Sequence, residues 1–325
     1  MALCGEKPMN QQSRVLIIGA GATGCNVAHY LCSGGGYEVQ IWEQSVKLGA
    51  GGSLRSVQTA SGITAELGAQ VLSFEMQNKI VEQRCAQLQP WLTLLKDPGV
   101  YLETTTSSIL AHTEERPSPW WEHYAVIGGT ASLLSQILAS SGAEVHLGRS
   151  ALSVERGERL QVAHDSGTEE FDAVVVACTC DVGGFHVTAP GKTRHASLIQ
   201  LDGPSAQKLR AIWEQGCREM SFDNGCGLIT VWTWQDPIVA TVHHIDAVAG
   251  MKIWLGVGEG IEVLEKHSFV QHDIAKPVGC VVATEDPLIV YCGDWCGGLG
   301  SFSSCIISAK AAADCVRAAT QKKTG

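Results

Sequence analysis

A glycine-rich turn followed by one carboxylate is the first group of residues whose types and spacing could do chemistry. Gly19, Gly21 and Gly24 form a G-x-G-x-x-G pattern between the β-rich run Arg14–Ile18 and a helical pattern. Glu43 follows 19 residues after the last of these glycines, at the end of the next β-rich run. A strand–turn–helix–strand unit with this spacing is typical of dinucleotide binding. The alternative is a glycine-rich turn without a ligand.

Each of these residues has a separate physical task in such a unit. Gly19 permits the tight turn, Gly21 lets the backbone approach a pyrophosphate, and Gly24 allows the helix to pack closely on the strand. The N–H groups at the helix N-terminus bind the phosphates. Glu43 accepts hydrogen bonds from ribose hydroxyls, and its charge disfavours a 2′-phosphate.

A second strand, glycine-rich loop and helix start lie near the end of the chain. Tyr291–Asp294 leads through the loop 293–300 to a helical pattern over 303–319. A helix N-terminus can stabilise negative charge on a reduced flavin. Asp294 could bind a ribityl hydroxyl, or it could be an ordinary acid near a helix start. The segments Gly49–Gly52 and Thr64–Gln70 add further glycine-rich backbone.

Parallel strands and helices must position these residues. Buried strands are predicted at 14–18 and 288–292, further strands at 37–42, 144–147 and 171–177, and helices at 76–96, 130–140 and 205–215. Residues 47–70 are predicted to be loop, a strand is predicted at 151–155, and alternating runs between 186 and 279 indicate antiparallel strands. The pattern predicts an α/β fold. It has a Rossmann-like dinucleotide domain (14–75, 125–185 and 280–320), a smaller α+β domain with an antiparallel sheet (76–124 and 186–279), and an N-terminal extension (1–13).

Composition excludes several classes of protein. The 325 residues carry a net charge of −10 with no basic stripe, which excludes a nucleic-acid footprint. The 13 cysteines are odd in number and lack metal-ligand spacing, so we expect reduced thiols and no metal site. Residues 1–13 lack the apolar core of a signal peptide, and no apolar run reaches the roughly 18 residues of a membrane span. We therefore expect a soluble cytoplasmic protein.

Six segments together resemble the FAD-binding amine oxidase superfamily, with its para-hydroxybenzoate hydroxylase-like (GR2-type) fold, and within it the renalase family. They are GATGCNVAHYL, TAELGAQ, GAEVHLGR, FDAVVVAC, KHSFVQHDIAKPVG and CGDW…SFSSCIISA. The resemblance implies cofactor-binding roles for Gly19, Gly21, Thr23, Gly24, Glu43, Gly52, Arg55, Gly68, Ala69, Gln70, Ala151, Gly293, Asp294, Cys305 and Ile306. Arg55 comes later than the arginine that often follows the family's Gly-Gly pair. The middle of the chain is also shorter than the family's substrate domain.

The resemblance implies non-covalent FAD and an oxidase. In the renalase family the flavin takes a hydride from the 2- or 6-dihydro isomers of NAD(P), releasing NAD(P)⁺, and reduces O₂ to hydrogen peroxide. One alternative is another flavin enzyme of the superfamily, with an amine substrate. The other is a catalytically impaired FAD-binding or signalling protein. The oligomeric state stays open.

Flavin chemistry of this kind needs no strong protein nucleophile, and the sequence singles out no catalytic residue. Trp232, His244 and Trp295 are the candidate substrate contacts. Trp232 could stack on a nicotinamide ring or pack in a sheet core. His244 could contact a phosphate or be structural, and Trp295 adjoins the flavin motif.

Overall fold

The chain folds mainly into short strands, with helices between some of them, and begins with the strand–helix–strand unit that the sequence predicts. The computed structural model describes residues 12–69, 72–94, 102–105, 108–111, 120–178, 191–214, 219–222, 225–272, 278–297 and 301–324. The strands are β1 Ser13–Ile18, β2 Tyr37–Glu43, β3 Ala50–Gly51, β4 Leu54–Gln58, β5 Thr64–Glu66, β6 Leu72–Glu75, β7 Leu92–Leu94, β8 Leu102–Thr105, β9 Ser108–Ala111, β10 Trp121–Val126, β11 Glu144–Leu147, β12 Ser153–Arg156, β13 Leu160–His164, β14 Gly167–Phe171, β15 Ala173–Val176, β16 Gly191–Leu201, β17 Glu219–Phe222, β18 Gly225–Thr233, β19 Ile238–His243, β20 Ile261–His272, β21 Val281–Glu285 and β22 Leu288–Tyr291. The helices are α1 Ala22–Ser33, α2 Lys79–Leu88, α3 Thr130–Ser141, α4 Gly203–Glu214, α5 Ala247–Leu255, α6 Asp294–Gly297 and α7 Phe302–Thr324.

The main sheet has six strands in the order β11-β2-β1-β15-β22-β21. Its first five strands are parallel, and β21 joins the edge antiparallel to β22. Strands β15 and β22 are buried along their whole length, because the sheet is covered on both faces. This confirms the predicted Rossmann-like, mixed α/β fold.

The two faces of the main sheet are covered by different elements. Alternate residues of β1, such as Val15 and Ile17, pack against α1, α3 and α7 in one core cluster. Leu16 and Ile18 pack on the opposite face with Trp42 and the three-stranded sheet β12-β13-β14. Successive side chains of a strand point to opposite faces of the sheet, so β1 contributes residues to both core clusters.

A second, antiparallel sheet has the order β17-β18-β19-β16-β20. Helices α4 and α5 cover one face, where Leu209 and Met251 are fully buried. The other face packs on the first half of the chain, because Leu198 and Val239 share a core cluster with Leu67. The antiparallel strands predicted between 186 and 279 are thus present, and the exact domain boundaries stay a prediction.

Four local predictions were wrong. Residues 47–70 are not all loop but contain the small sheet β3-β4-β5, since glycines at positive φ form turns between very short strands. The predicted helix over 76–96 ends at Leu88, because Pro90 cannot continue it and starts a 3-10 turn. Residues 294–297 form a helical turn, and Ala151 precedes strand β12 instead of lying in it. Helix α5 and strand β21 were not predicted.

Candidate functional site

A cavity of about 790 Å³ lies at the carboxyl edge of the main sheet. It is lined by the segments that directly follow β1, β2, β15 and β22. Ligands of open α/β sheets bind at this edge, where helix N-termini and loops converge. The lining includes Gly19, Gly21, Thr23, Glu43, Lys47, Gly52, Ala69, Ala177, Gly293, Asp294, Trp295, Phe302 and Cys305.

The glycine turn after β1 has the geometry that its sequence predicts. Gly19 has a φ of +102°, and its N–H donates to the carbonyl of Trp42 (2.8 Å). A Cβ on Gly24 would lie 1.9 Å from the carbonyl oxygen of Gly19, so only glycine lets α1 approach the turn this closely. A Cβ on Gly21 would meet no protein atom within 4 Å. Gly24 therefore has a packing role, whereas Gly21 leaves open space on the cavity side.

The N-terminus of α1 is free to bind an anion. Gly21 is its N-cap and provides no side-chain hydrogen bond to the first turn. The first N–H groups of a helix lack intrahelical partners and carry partial positive charge. Ala22 and Thr23 also line the cavity. This helix end therefore suits a phosphate group.

Glu43 is held at the cavity wall by two backbone donors. Its Oε2 accepts from the N–H of Ala20 and its Oε1 from the N–H of Ser45, both at 2.9 Å. These bonds fix the carboxylate across the glycine turn. A carboxylate has about four acceptor positions, so Glu43 can still bind ligand hydroxyls.

Lys47 is the one cation among the described lining residues, and the sequence analysis missed it. It lies four residues after Glu43 on the loop that follows β2. The sequence feature that could have identified Lys47 is its position as a basic residue shortly after the acid of the dinucleotide unit. The loop brings its charge to the same cavity as the α1 N-terminus.

The C-terminal motif forms the opposite wall. Asp294 Oδ1 accepts from the N–H of Trp295 (3.0 Å), and the N–H of Gly293 donates to Ser308 Oγ (2.9 Å). The indole of Trp295 packs so closely that a Cβ on Gly293 would lie 2.3 Å from its Nε1. That Nε1 is buried and has no hydrogen-bond partner among the described residues.

Helix α7 begins beside this wall. Ser301 Oγ accepts from the N–H of Ser304 (3.2 Å), which caps the first turn. Cys305 in the next turn lines the cavity, and burial together with Asp294 raises the pKa of its thiol to about 12. The protonated thiol is a poor nucleophile at neutral pH. Ile306 points away from the cavity into the main core.

Arg55 does not line the cavity. Its Nη2 pairs with Glu265 of β20, and its Nη1 donates to His267 Nδ1 (3.1 Å). His267 in turn donates from Nε2 to the carbonyl of Gly52 (2.8 Å), which does line the cavity. The guanidinium thus joins the glycine-rich loop to the antiparallel sheet, a partner 210 residues away that no local pattern indicates.

Two more predicted positions, Gly68 and Ala151, do not line the cavity. A Cβ on Gly68 would lie 2.3 Å from the carbonyl of Ser53, so this glycine allows two backbones to pack, whereas its neighbour Ala69 lines the cavity. Ala151 packs against the core on the other face of the main sheet. Gln70 falls outside the described residues.

Two of the three candidate substrate contacts have structural partners instead. Trp232 donates from Nε1 to Thr241 Oγ1 (2.8 Å) and packs against a core cluster. His244 Nδ1 accepts from the N–H of Asp246 (3.0 Å) in the turn before α5. Neither lines the cavity, so Trp295 is the remaining candidate. Within the described ranges no group of three or more side chains could hold a metal ion.

Comparison with known proteins supports the fold. Residues 17–88 match the family model of the NAD(P)-binding Rossmann-like domain. No curated protein sequence matches the chain. No helix in the described part of the chain combines the length and apolar character needed to cross a membrane.

Three solved structures illustrate the likeness. Putrescine oxidase bound to putrescine aligns at a TM-score of 0.64 and 10% identity, over 95% of this chain and 99% of that one. A candidate protoporphyrinogen oxidase from Exiguobacterium sp. 255-15 has the same TM-score at 12% identity, over 95% and 99% of the two chains. FqzB aligns at a TM-score of 0.60 and 15% identity, over 93% of this chain and 75% of its own. These identities are too low to show more than the fold, which is amine-oxidase-like.

Proposed function

We propose that this protein is an FAD-dependent oxidoreductase that binds its flavin without a covalent bond. The observation that carries the proposal is the cavity of about 790 Å³, which joins a helix N-terminus without a side-chain cap and a fixed carboxylate at the carboxyl edge of the sheet. The helix N-terminus suits a pyrophosphate and the carboxylate suits ribose hydroxyls. Cys305 lies in the wall, but its raised pKa disfavours attachment to a flavin.

The residues of the chain divide the work of holding this cofactor. The α1 N-terminus and Lys47 neutralise the phosphates, and Glu43 binds the ribose hydroxyls. We assign Asp294 to the ribityl chain and the α7 N-terminus to the ring, which would gain negative charge on reduction. Bound FAD supplies a two-electron acceptor that can pass its electrons to O₂ and give hydrogen peroxide.

We propose as substrates the 2- and 6-dihydro isomers of NAD(P), which are oxidised to NAD(P)⁺. The support is the resemblance of Lys266–Ala309 and the flavin-binding segments to the renalase family. The described cavity lining contains no histidine, and hydride transfer from a dihydropyridine needs no general base. Trp295 and Phe302 give this wall the aromatic surface on which a nicotinamide ring can pack.

An amine substrate is the second candidate, favoured by the fold shared with putrescine oxidase. Such chemistry needs an aromatic cage around the amine, for which the described lining offers only Trp295 and Phe302. A catalytically impaired FAD-binding or signalling protein is the third candidate. We propose that the protein resides in a reducing compartment, the cytoplasm, because none of the nine cysteines whose side chains the structure describes forms a disulfide bond.

One experiment separates these functions. The purified protein is examined by visible spectroscopy and mixed anaerobically with 6-dihydro-NAD, ordinary NADH and a panel of amines. We expect a yellow protein whose flavin band is bleached by the dihydro isomer and recovers, with peroxide release, on admitting air. Bleaching by amines alone supports the second candidate, and a yellow protein bleached by none supports the third. A colourless protein that takes up no added FAD refutes every function that depends on a flavin.

A further inference from the structure

Two cysteines far apart in sequence meet on the back of the C-terminal motif. Cys280 lies just before β21, and Cys315 lies in the second half of α7. Their Sγ atoms are 3.6 Å apart, and both residues are half-buried. Neighbouring residues of the two segments are also close, since a Cβ on Gly279 would lie 3.1 Å from the Cβ of Ala311. A small movement therefore suffices for bond formation between the two sulfurs.

The loop that carries Cys280 also supports the cavity wall. The N–H groups of Val278 and Gly279 donate to the carbonyl of Cys296 at 2.8 and 3.0 Å. Cys296 belongs to α6, the helical turn that places Asp294 and Trp295 at the cavity. The thiol pair is thus connected to the proposed flavin site through one short loop.

We propose that Cys280 and Cys315 form a redox-active dithiol that a peroxide converts to an intramolecular disulfide. The thiolate of one of the two cysteines attacks hydrogen peroxide, displaces hydroxide and becomes a sulfenic acid, a two-electron oxidation that releases one water. The sulfur of the other cysteine then attacks the sulfenic sulfur, loses its proton and releases the second water.

The disulfide ties the loop to α7 and so restrains α6. It closes a loop of 35 residues, which limits the unfolded chain and stabilises the folded one. We expect the oxidised protein to melt about 5 °C higher than the reduced protein. The proposal does not rest on the flavin function, because added peroxide drives the same reaction in flavin-free protein.

The test treats the full-length protein with hydrogen peroxide, alkylates remaining thiols and maps peptides without reduction. We expect a peptide pair linked through Cys280 and Cys315, lighter by about 2 Da than its two free thiols, which dithiothreitol separates. The melting temperature should rise with the linkage. Two free, alkylated thiols in the peroxide-treated native protein overturn the proposal.

Variants assign the effect to the pair. Cys280→Ser and Cys315→Ser should each abolish the linkage and the rise in melting temperature, and each should leave the remaining thiol without a partner and open to sulfinic acid formation. Cys32→Ser is the matched control, because Cys32 is another half-buried free thiol, and it should behave like the wild type. The same rise in melting temperature in Cys280→Ser overturns the proposal. Peptide mapping of the wild type decides the matter if a variant fails to fold.

Discussion

Alanine substitutions at Gly21 and Gly24 should separate cofactor binding from packing within one turn of α1. A methyl group on Gly24 must move by more than 1 Å relative to the Gly19 carbonyl, since it would otherwise lie 1.9 Å from that oxygen. Overpacking of this kind costs about 1–3 kcal/mol, of which the better helix propensity of alanine recovers up to about 1 kcal/mol. We expect Gly24→Ala to lose stability and to weaken FAD binding, because the helix N-terminus shifts.

Gly21→Ala is the matched control. Its φ of −74° and ψ of −175° suit alanine, and its methyl group meets no protein atom within 4 Å. The folded apoprotein should therefore keep its stability within about 0.5 kcal/mol. The methyl group projects into open space where a pyrophosphate approaches the backbone, so FAD affinity should fall about 10-fold or more.

The assay is denaturant unfolding of each apoprotein together with fluorescence titration with FAD. Two results would refute this reasoning. One is a Gly24→Ala protein as stable as the wild type, and the other is a Gly21→Ala protein that binds FAD with unchanged affinity.

Three further predictions follow from single side chains. Lys47→Ala should weaken FAD binding about 3- to 10-fold, an effect that shrinks with added salt, and titration at two salt concentrations checks it. Glu66 accepts from the N–H and Oγ1 of Thr130 and from Ser56 Oγ. Glu66→Gln should therefore cost about 1–3 kcal/mol in urea unfolding, because an amide donor replaces one acceptor; equal stability contradicts this. Burial lowers the pKa of His243 to about 4. Below pH 6.5 the unfolded chain therefore binds a proton that the folded protein does not bind until the pH approaches 4. The free energy of unfolding is thus highest above pH 6.5 and falls as the pH drops towards 4. Because of this residue, the free energy of unfolding should be about 2 kcal/mol lower at pH 5 than at pH 7, and the difference should be smaller in His243→Gln.

Several parts of the site could be predicted because they depend on neighbours along the chain. The glycine turn, α1 and Glu43 lie within one strand–helix–strand unit, whose spacing alone brings them together. The loop 47–70 was misjudged because short strands between glycine turns leave no periodic signal. The role of Trp232 could not be predicted in this way. Its partner Thr241 lies on the next strand, and only the register of β18 against β19 brings the two residues together.

The sequence by itself determined the first strand–helix–strand unit, the parallel strands of the main sheet and the edge at which a dinucleotide should bind. These follow from hydrophobic periods and glycine spacing, which act over a few residues. The tertiary structure alone decided which distant side chains meet. It turned Arg55 towards Glu265 and away from the cavity, and it placed Cys280 beside Cys315. Such pairs depend on how whole elements pack, because a side chain contacts what the fold brings to it and not what lies next to it in the chain.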